Sequence, residues 1–519
     1  MDQVFSTGGI PIDLAAELAA FYECRPGESS VADRVKQGLL QFGTEQWRAA
    51  RRQEMDRLQA ARPAAEEPQL ETSVKLTAEQ QAALETVLDA IGGAIPDPPL
   101  CCAITGGAGT GKTTLTRELA RELADDGLAV GYAAPTHKAC GVMAAALGVE
   151  RESVLTVASL LGLRETTDGD KADFKPIADH RLDEAEVWII DESSMIHPEH
   201  LALMRSNAGM NQAFIFIGDA AQLPPVKHNE SPALRQKCTA TLTKVHRHAG
   251  AVLDLATAIR TGDAIRPKIS ETVHYSGSSV ITHDTLQSWQ RTFFEIIKDA
   301  GEGDPDAARI LAYRNRVVSY DNAAIRYALL GPDALPFVAG ERLVANGGVF
   351  TPEAAEGRGN PVFASCRELT IERVERGMVR ININRAENGE WERDSKSRNG
   401  MDVDCYQLHV RADRWAPTDA ITTRLLAAVD PSRVEREIEA LRAEAKITRR
   451  WHSFWILLRS FPKLNRHWAM TVHKSQGSQF RQVFIEAQDL DSAQSDDRRR
   501  LWYTAVTRAT EAVHVLRDF

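Results

Sequence analysis

Cysteine is scarce and unpatterned in this 519-residue sequence, with seven residues, an odd number, and no C-x-x-C spacing. Cys24, Cys101, Cys102, Cys140, Cys238, Cys366 and Cys405 therefore suggest neither a disulfide framework nor a zinc site. They read as reduced thiols, and a cytoplasmic setting is expected. No apolar run approaches the length of a membrane span, so no membrane association is expected. Met1-Asp2-Gln3-Val4 has neither a basic nor an apolar character, and no secretory leader is expected. Positive charge is not in excess either: 62 Lys and Arg stand against 72 Asp and Glu, a net charge of −10. That balance counts mildly against a nucleic-acid partner, although a basic channel inside an acidic exterior is compatible with it. No nuclease constellation is visible.

What is present begins with length. A chain of 519 residues exceeds one ordinary core, and two to four domains are expected. The stretch Cys101-Cys102-Ala103-Ile104-Thr105 reads as a buried strand leading into Gly106-Gly107-Ala108-Gly109-Thr110-Gly111-Lys112-Thr113-Thr114 and then a helix. Gly106 to Thr113 fits G-x-x-x-x-G-K-[ST]. Glycines let successive N–H groups converge on phosphate oxygens at a helix N-terminus. Gly107 to Thr114 form the phosphate-binding set, with Lys112 reaching the β/γ-phosphates and the Thr113 hydroxyl ligating Mg²⁺. This pattern binds a nucleoside triphosphate.

Strand and helix patterns then alternate. Leu128–Ala134, Val187–Ile190 and Ala213–Ile217 read as buried strands, each ending in a polar cluster, which indicates a parallel sheet with crossover helices. Ligands bind beyond the carboxyl ends of such strands. Asp191-Glu192 ends one of them: Asp191 suits Mg²⁺, directly or through water, and Glu192 suits the general base for an attacking water. An isolated acidic pair there would equally be a solvated turn; after a phosphate loop, catalysis is the better reading. Upstream, Thr77 caps a helix from Leu76 on with apolar positions Leu84, Val87, Leu88 and Ile91. Gln80 in it can hydrogen-bond an adenine edge, which favours ATP.

Gly218-Asp219-Ala220-Ala221-Gln222-Leu223-Pro224-Pro225, Thr471-Val472-His473-Lys474-Ser475-Gln476-Gly477-Ser478-Gln479-Phe480 and Tyr503-Thr504-Ala505-Val506-Thr507-Arg508-Ala509 resemble motifs of superfamily 1 DNA helicases. Ala134–Ala139 and Thr156–Leu161 narrow the resemblance to the RecD/Dda branch, whose members generally move 5′ to 3′ on single-stranded DNA. It extends from about residue 76 to the C-terminus. It implies that Gln222 senses the γ-phosphate, that Arg247 and Arg508 act as arginine fingers, and that Gln479 belongs to the nucleotide set. It also implies an α/β fold of two RecA-like parallel-sheet domains, with ATP between them. Residues 71–250 form the first; 251–345 and 462–519 form the second. Residues 1–70 read as a helical extension of unknown role, a possible site for a protein partner. Tyr313 and Arg314 are candidates to stack on adenine or contact phosphate, and a core tyrosine is as compatible with the pattern.

Two inserts complete the reading. Residues 164–182 suit a β-hairpin, the pin with which related helicases part a duplex, with Phe174 at its tip or brace; a solvated loop is the plainer alternative. Residues 346–461 begin with short strand patterns, Glu368–Val374, Met378–Ile383 and Tyr406–Val410, which suggest the small SH3-like barrel that the family carries here. A helix capped by Asp430 follows, with Val434, Ile438, Leu441, Ala445 and Trp451 on one face; Trp451, Phe454 and Trp455 read as packing aromatics. The DNA contacts expected are Pro135, Thr136, His137, Thr156 and Ser159 on one domain and Thr471, His473 and Ser475 on the other. The reading is a monomeric ATP- and Mg²⁺-dependent helicase acting on single-stranded DNA and duplex junctions. Its alternatives are a translocase that displaces bound proteins, an RNA helicase, and a nucleotide-switched scaffold.

Overall fold

A computed structural model gives the architecture; the residues it describes are 75–517, apart from 94–98, 169–170, 177–178, 226–227, 246–249, 265–272, 276, 302–303, 332, 357–361, 364, 384–399 and 413–421. The N-terminal extension and Arg247 lie outside the described residues. Thr77 caps α1 (Ala78–Gly92) in a reciprocal box, its hydroxyl accepting from Gln80 N–H and the Gln80 side chain accepting from Thr77 N–H. The chain then alternates through β1 (Leu100–Gly106), α2 (Lys112–Asp125), β2 (Val130–Ala134), α3 (His137–Leu147), β3 (Val154–Thr156), β4 (Leu163–Asp168), β5 (Lys171–Pro176), β6 (Val187–Ile190), α4 (Pro198–Asn207), β7 (Ala213–Gly218) and β8 (Cys238–Leu242). The strand expected from Leu128 starts at Val130, because Gly127 takes a left-handed φ of 79° and Leu128 N–H closes α2 on Leu123 O.

These strands form one parallel sheet, β3-β2-β6-β7-β1-β8. Continuous apolar strands are what a sheet covered on both faces requires. Cys102, Ile104, Val187, Ile189, Ile215 and Ile217 point to one face, under Leu84 of α1, Leu115 and Leu119 of α2 and Met143 of α3. Their alternates Cys101, Trp188, Ile190, Phe214 and Phe216 meet Leu201 and Met204 of α4 on the other. Between β3 and β6, β4 and β5 pair antiparallel from Leu163↔Pro176 to Asp168↔Lys171, with Phe174 opposite Glu165.

The chain continues with α5 (Ala251–Thr261), β9 (Val273–Tyr275), β10 (Ser278–His283), α6 (Leu286–Ala300), β11 (Ala308–Ala312), α7 (Asn315–Leu330), β12 (Arg342–Ala345), β13 (Glu368–Ile381), β14 (Met401–Ala412), β15 (Thr423–Ala428), α8 (Pro431–Thr448), α9 (His452–Ser460), β16 (Leu464–Arg466), β17 (Ala469–Thr471), β18 (Phe480–Glu486), α10 (Ser495–Val506) and β19 (Ala509–Leu516). A second sheet, β17-β11-β18-β19-β10-β9, is parallel except for its last pair. One of its cores joins Leu311, Val483, Ile485, Val513 and Val515 to Val252 and Ile259 of α5 and Leu501 and Trp502 of α10. Leu223, which follows β7 of the first sheet, is buried in that same core.

The third sheet is antiparallel, β15-β14-β13-β12-β16, and departs from the sequence reading in three ways. The two strands expected at 368–374 and 378–383 are one, β13, which runs through Gly377 opposite Cys405 with a register shift between Ile371 and Arg373. Its long pairing with β14 carries Glu375–Gly377 as ladder residues where a break was expected. The sheet also takes in Arg342–Ala345 and Leu464–Arg466, outside the 346–461 limits. Trp451 is not on the face of α8: that helix ends at Thr448, Arg449 takes a left-handed φ of 63°, and Trp451 caps α9. Phe454 and Trp455 are buried, and Asp430 caps α8 as expected.

Candidate nucleotide site and nucleic-acid interface

Every strand of the first sheet runs the same way, so the polar segments that follow them gather along one edge. After β1, Gly109 and Gly111 adopt φ of 77° and 81°, left-handed values that let the loop turn its amides inward. Lys112 Nζ donates to Gly106 O at 2.8 Å and Gly107 O at 3.0 Å, so the ammonium is held on the loop's own carbonyls. Thr110 Oγ1 donates to Gly107 O, and Thr113, at the start of α2, is exposed. Ala108 presents its N–H to Tyr503, and Thr114 is half-buried. Gln80 Nε2 donates to Thr110 O and Gly111 O, while its Oε1 accepts from Thr77. Both polar ends of Gln80 are engaged, and it braces the loop here in place of the expected adenine contact.

After β6, Glu192 N–H donates to Asp191 Oδ1 at 2.7 Å, and Glu192 has a left-handed φ of 51°, a strained value for a side-chain-bearing residue. The Asp191 carboxyl is pushed up to about 6, chiefly by burial and then by the Glu192 carboxylate, with Lys112 pulling the other way. A cation beside it would hold it ionised. After β7, Gln222 is 6% exposed and its Oε1 is buried without a hydrogen-bond partner among the described residues. An orphaned buried acceptor of this kind at a phosphate site calls for a ligand or water.

The two parallel sheets meet at these segments. Leu223 N–H donates to Thr504 Oγ1 at 3.1 Å, and Gln476 Nε2 donates to Leu223 O at 2.8 Å. The Tyr503 hydroxyl accepts from Ala108 N–H at 3.1 Å and donates to Asp219 Oδ2 at 2.5 Å. Tyr503, Asp219, Thr504 and Gln476 were not assigned roles from sequence, although they sit inside the quoted motifs. Arg260 of α5 carried no sequence signal at all; a Cβ on Gly107 would fall 2.6 Å from its Nη1. Arg508, by contrast, is 5% exposed, and its Nε, Nη1 and Nη2 donate to Thr504 O, Ser478 O and Thr507 Oγ1. In this conformation its guanidinium is held by two backbone carbonyls and the Thr507 hydroxyl. Gln479 is exposed, and Arg314 pairs with Asp489 at 2.5 Å while Tyr313 faces the His473 ring at 6.4 Å.

The expected DNA residues divide by burial. His137 and Ser159 are exposed, and Pro135, Thr136 and His473 are half-buried. Arg151 Nη2 lies 3.1 Å from His137 Nδ1. Ser475 is fully buried, its Oγ donating to Val472 O, which removes it from any strand contact in this conformation. Thr156 and Thr471 are likewise buried, one bonded to Ser159 and the other accepting from Lys474 N–H. Hydroxyls at strand ends accept from the first turn that follows them. The loops themselves do converge: a Cβ on Gly477 would meet Ala139 Cβ at 2.8 Å and Thr136 Oγ1 at 3.3 Å.

Comparison with known proteins adds to this geometry. A family model described as an AAA domain matches residues 75–281, and one described as a UvrD-like helicase C-terminal domain matches residues 467–516. The chain is 26% identical over 432 residues to the ATP-dependent DNA helicase dda of Enterobacteria phage T4, spanning 78% of this chain and 92% of that one. It is 31% identical over 183 residues to the RecBCD enzyme subunit RecD of Mycolicibacterium smegmatis, spanning 31% and 33% of the two chains. Among solved structures, a Pif1 helicase from Bacteroides in complex with ADP-AlF3 and ssDNA aligns with a TM-score of 0.42 at 17% identity, covering 85% of this chain and 92% of that one. No helix among the described residues is long and apolar enough to cross a membrane.

Proposed function

Since the chain belongs to the RecD/Dda-like branch of the superfamily 1 DNA helicases, we propose that it hydrolyses ATP to move along single-stranded DNA, 5′ to 3′, and to separate strands. The observation that carries this reading is the link at Leu223. The segment bearing Gln222 is bonded through its backbone to Thr504 and Gln476 of the second sheet's motifs. A change at a terminal phosphate is thereby transmitted to the loops that would hold the strand.

Within this reading Lys112 leaves the Gly106 and Gly107 carbonyls for the β/γ-phosphates, and Glu192 orients and deprotonates the attacking water. Gln222 Oε1, without a partner among the described residues, is the group that accepts from that water, and the Nε2 of the same amide is the group that would donate to the γ-phosphate. Thr113 and Asp191, a hydroxyl and a carboxylate, are oxygen donors suited to Mg²⁺, which when bound supplies charge neutralisation of the phosphates. The β4–β5 hairpin is proposed as the pin, and the antiparallel sheet with α8 and α9 as the SH3-like module of the family. His137, Ser159 and His473 are the proposed strand contacts, directed at phosphates and therefore blind to sequence. Opening a base pair takes about 1.4 kcal/mol on average, well within the reach of one ATP.

The test is steady-state ATP hydrolysis with and without single-stranded DNA, for the wild type and Lys112→Ala. Stimulation by DNA that disappears in the variant is the expected result. Hydrolysis indifferent to DNA would exclude a DNA-driven motor. Unwinding of 5′-tailed against 3′-tailed duplexes then decides polarity, and translocation without unwinding would indicate protein displacement instead.

A further inference from the structure

Of the cations that the sequence directs at the terminal phosphates from the second wall, Arg508 is held by Thr504 O, Ser478 O and Thr507 Oγ1. A different arginine lies on the loop. Arg260 closes α5, the helix that leads from the first sheet into the core of the second. A Cβ added to Gly107 would meet Arg260 Nη1 at 2.6 Å, Cζ at 3.0 Å and Cδ at 3.3 Å. The guanidinium thus lies directly against the glycine backbone, and the absence of a side chain at 107 is what admits it.

We propose that Arg260 is a ligand of the terminal phosphates of bound nucleotide, reaching them from outside the first sheet. Three further observations support the assignment. Lys112 Nζ is held by the carbonyl of that same Gly107 at 3.0 Å, so Arg260 covers the end of the loop from which the lysine reaches the β/γ-phosphates. Arg260 is half-buried, and no hydrogen bond or ion pair among the described residues engages its guanidinium. A partly desolvated cation beside an anion-binding loop gains most from a phosphate, and a planar fork of donors can bind two of its oxygens together. Finally, α5 packs on α10, which carries Tyr503 and through it the Ala108 amide and Asp219. A phosphate held by Arg260 would draw these two helices onto the loop together, so the same contact that reads the nucleotide would tighten the junction between the sheets.

The proposal rests on reading Gly106–Thr113 as a triphosphate site. Its test is equilibrium binding of fluorescent ADP and of a fluorescent, non-hydrolysable ATP analogue, with Mg²⁺ and without DNA. Arg260→Ala is expected to weaken the triphosphate analogue at least tenfold and ADP by less than threefold. Arg260→Lys, which keeps the charge and loses the fork, is expected to fall between. Equal loss for both nucleotides, or no loss, overturns the proposal. If Arg260→Ala fails to fold, the lysine variant decides: selective loss of the triphosphate analogue by threefold or more supports the assignment, and parity overturns it. Because DNA is absent from this measurement, a wild type whose hydrolysis ignored DNA would sink the helicase reading and leave this result standing.

Discussion

The hydroxyl of Tyr503 joins an amide of the phosphate loop to the Asp219 carboxylate; Tyr503 and Asp219 are buried, and Ala108, which supplies the amide, is half-buried. Asp219 is 1% exposed and keeps the Ala221 N–H as a second donor, so the phenol is one of few groups that neutralise its burial. Burial, followed by the Asp219 carboxylate, holds the phenol in its protonated, donating form. Tyr503→Phe preserves the ring and deletes both bonds. The expected result is a loss of about 1–3 kcal/mol in unfolding free energy, the penalty of leaving buried groups unmatched. A lower kcat at nearly unchanged ATP KM should accompany it if the bond also couples the sheets; denaturant titration and steady-state kinetics separate the two effects. A second residue-scale outcome concerns Gly131, where a Cβ would lie 2.6 Å from the Trp188 ring. Trp188 is 2% exposed and its Nε1 donates to Leu182 O at 2.9 Å, so it has little freedom to yield. Gly131→Ala should destabilise by roughly 1–3 kcal/mol through overpacking, read as a lower thermal midpoint.

At the scale of elements, the N-terminal turn of α3 is tied to the start of β13 and to the second sheet by a buried charge cluster. Lys138 Nζ lies 3.7 Å from Glu368 Oε1 and 3.6 Å from Asp306 Oδ1, and Arg309 Nη2 is 3.2 Å from Glu368 Oε1. The Phe480 ring stands between the two cations, 4.7 Å from Lys138 and 4.8 Å from Arg309. Burial by itself would raise the Glu368 carboxyl, but Arg309 and then Lys138 outweigh it and hold it at about 2. A carboxyl lowered on folding stabilises the native state above its ordinary value of 4.5, and that stability is lost as pH falls from there toward 2. His467 lies in the same cluster; burial, then Arg309, lowers it to about 3, so its contribution declines across a wider range, from 6.5 downward. Glu368→Gln should therefore destabilise by roughly 3–5 kcal/mol at pH 7, as breaking a buried pair does, and the gap from wild type should narrow below pH 4.5. Urea midpoints measured from pH 7 to pH 3 check this, and a gap independent of pH would deny the pair its role.

For the whole molecule, the two parallel sheets face one another through the segments at their strand ends, and the junction is already closed at Leu223, Tyr503 and Gly477. The net charge of −10 and the lack of lysine or arginine among the proposed strand contacts His137, Ser159 and His473 imply modest dependence on salt. With no more than about four phosphates neutralised, the slope of log affinity against log salt should stay shallower than about −3 for single-stranded DNA. Fluorescence anisotropy with a labelled oligonucleotide across a salt series measures it, and a steep slope would place an unrecognised basic channel along the path.

Sequence by itself determined what depends on neighbours along the chain. The glycines of the phosphate loop, the N-cap Thr77, the buried strands β1, β6 and β7, and the acidic pair after β6 are all short-range demands of backbone geometry and burial. They were legible because each residue type is nearly forced by its local conformation. Tertiary structure decided the rest. Arg508 has the right motif, yet packing commits its guanidinium to nearby carbonyls and a hydroxyl; Ser475 lies on a motif, yet its own turn takes its hydroxyl. Arg260 stands more than a hundred residues from Gly107, and no periodicity links the two. Which side chains reach the loop across the junction depends on how two separately patterned sheets meet, and that contact follows from packing between distant segments rather than from the local preferences of either.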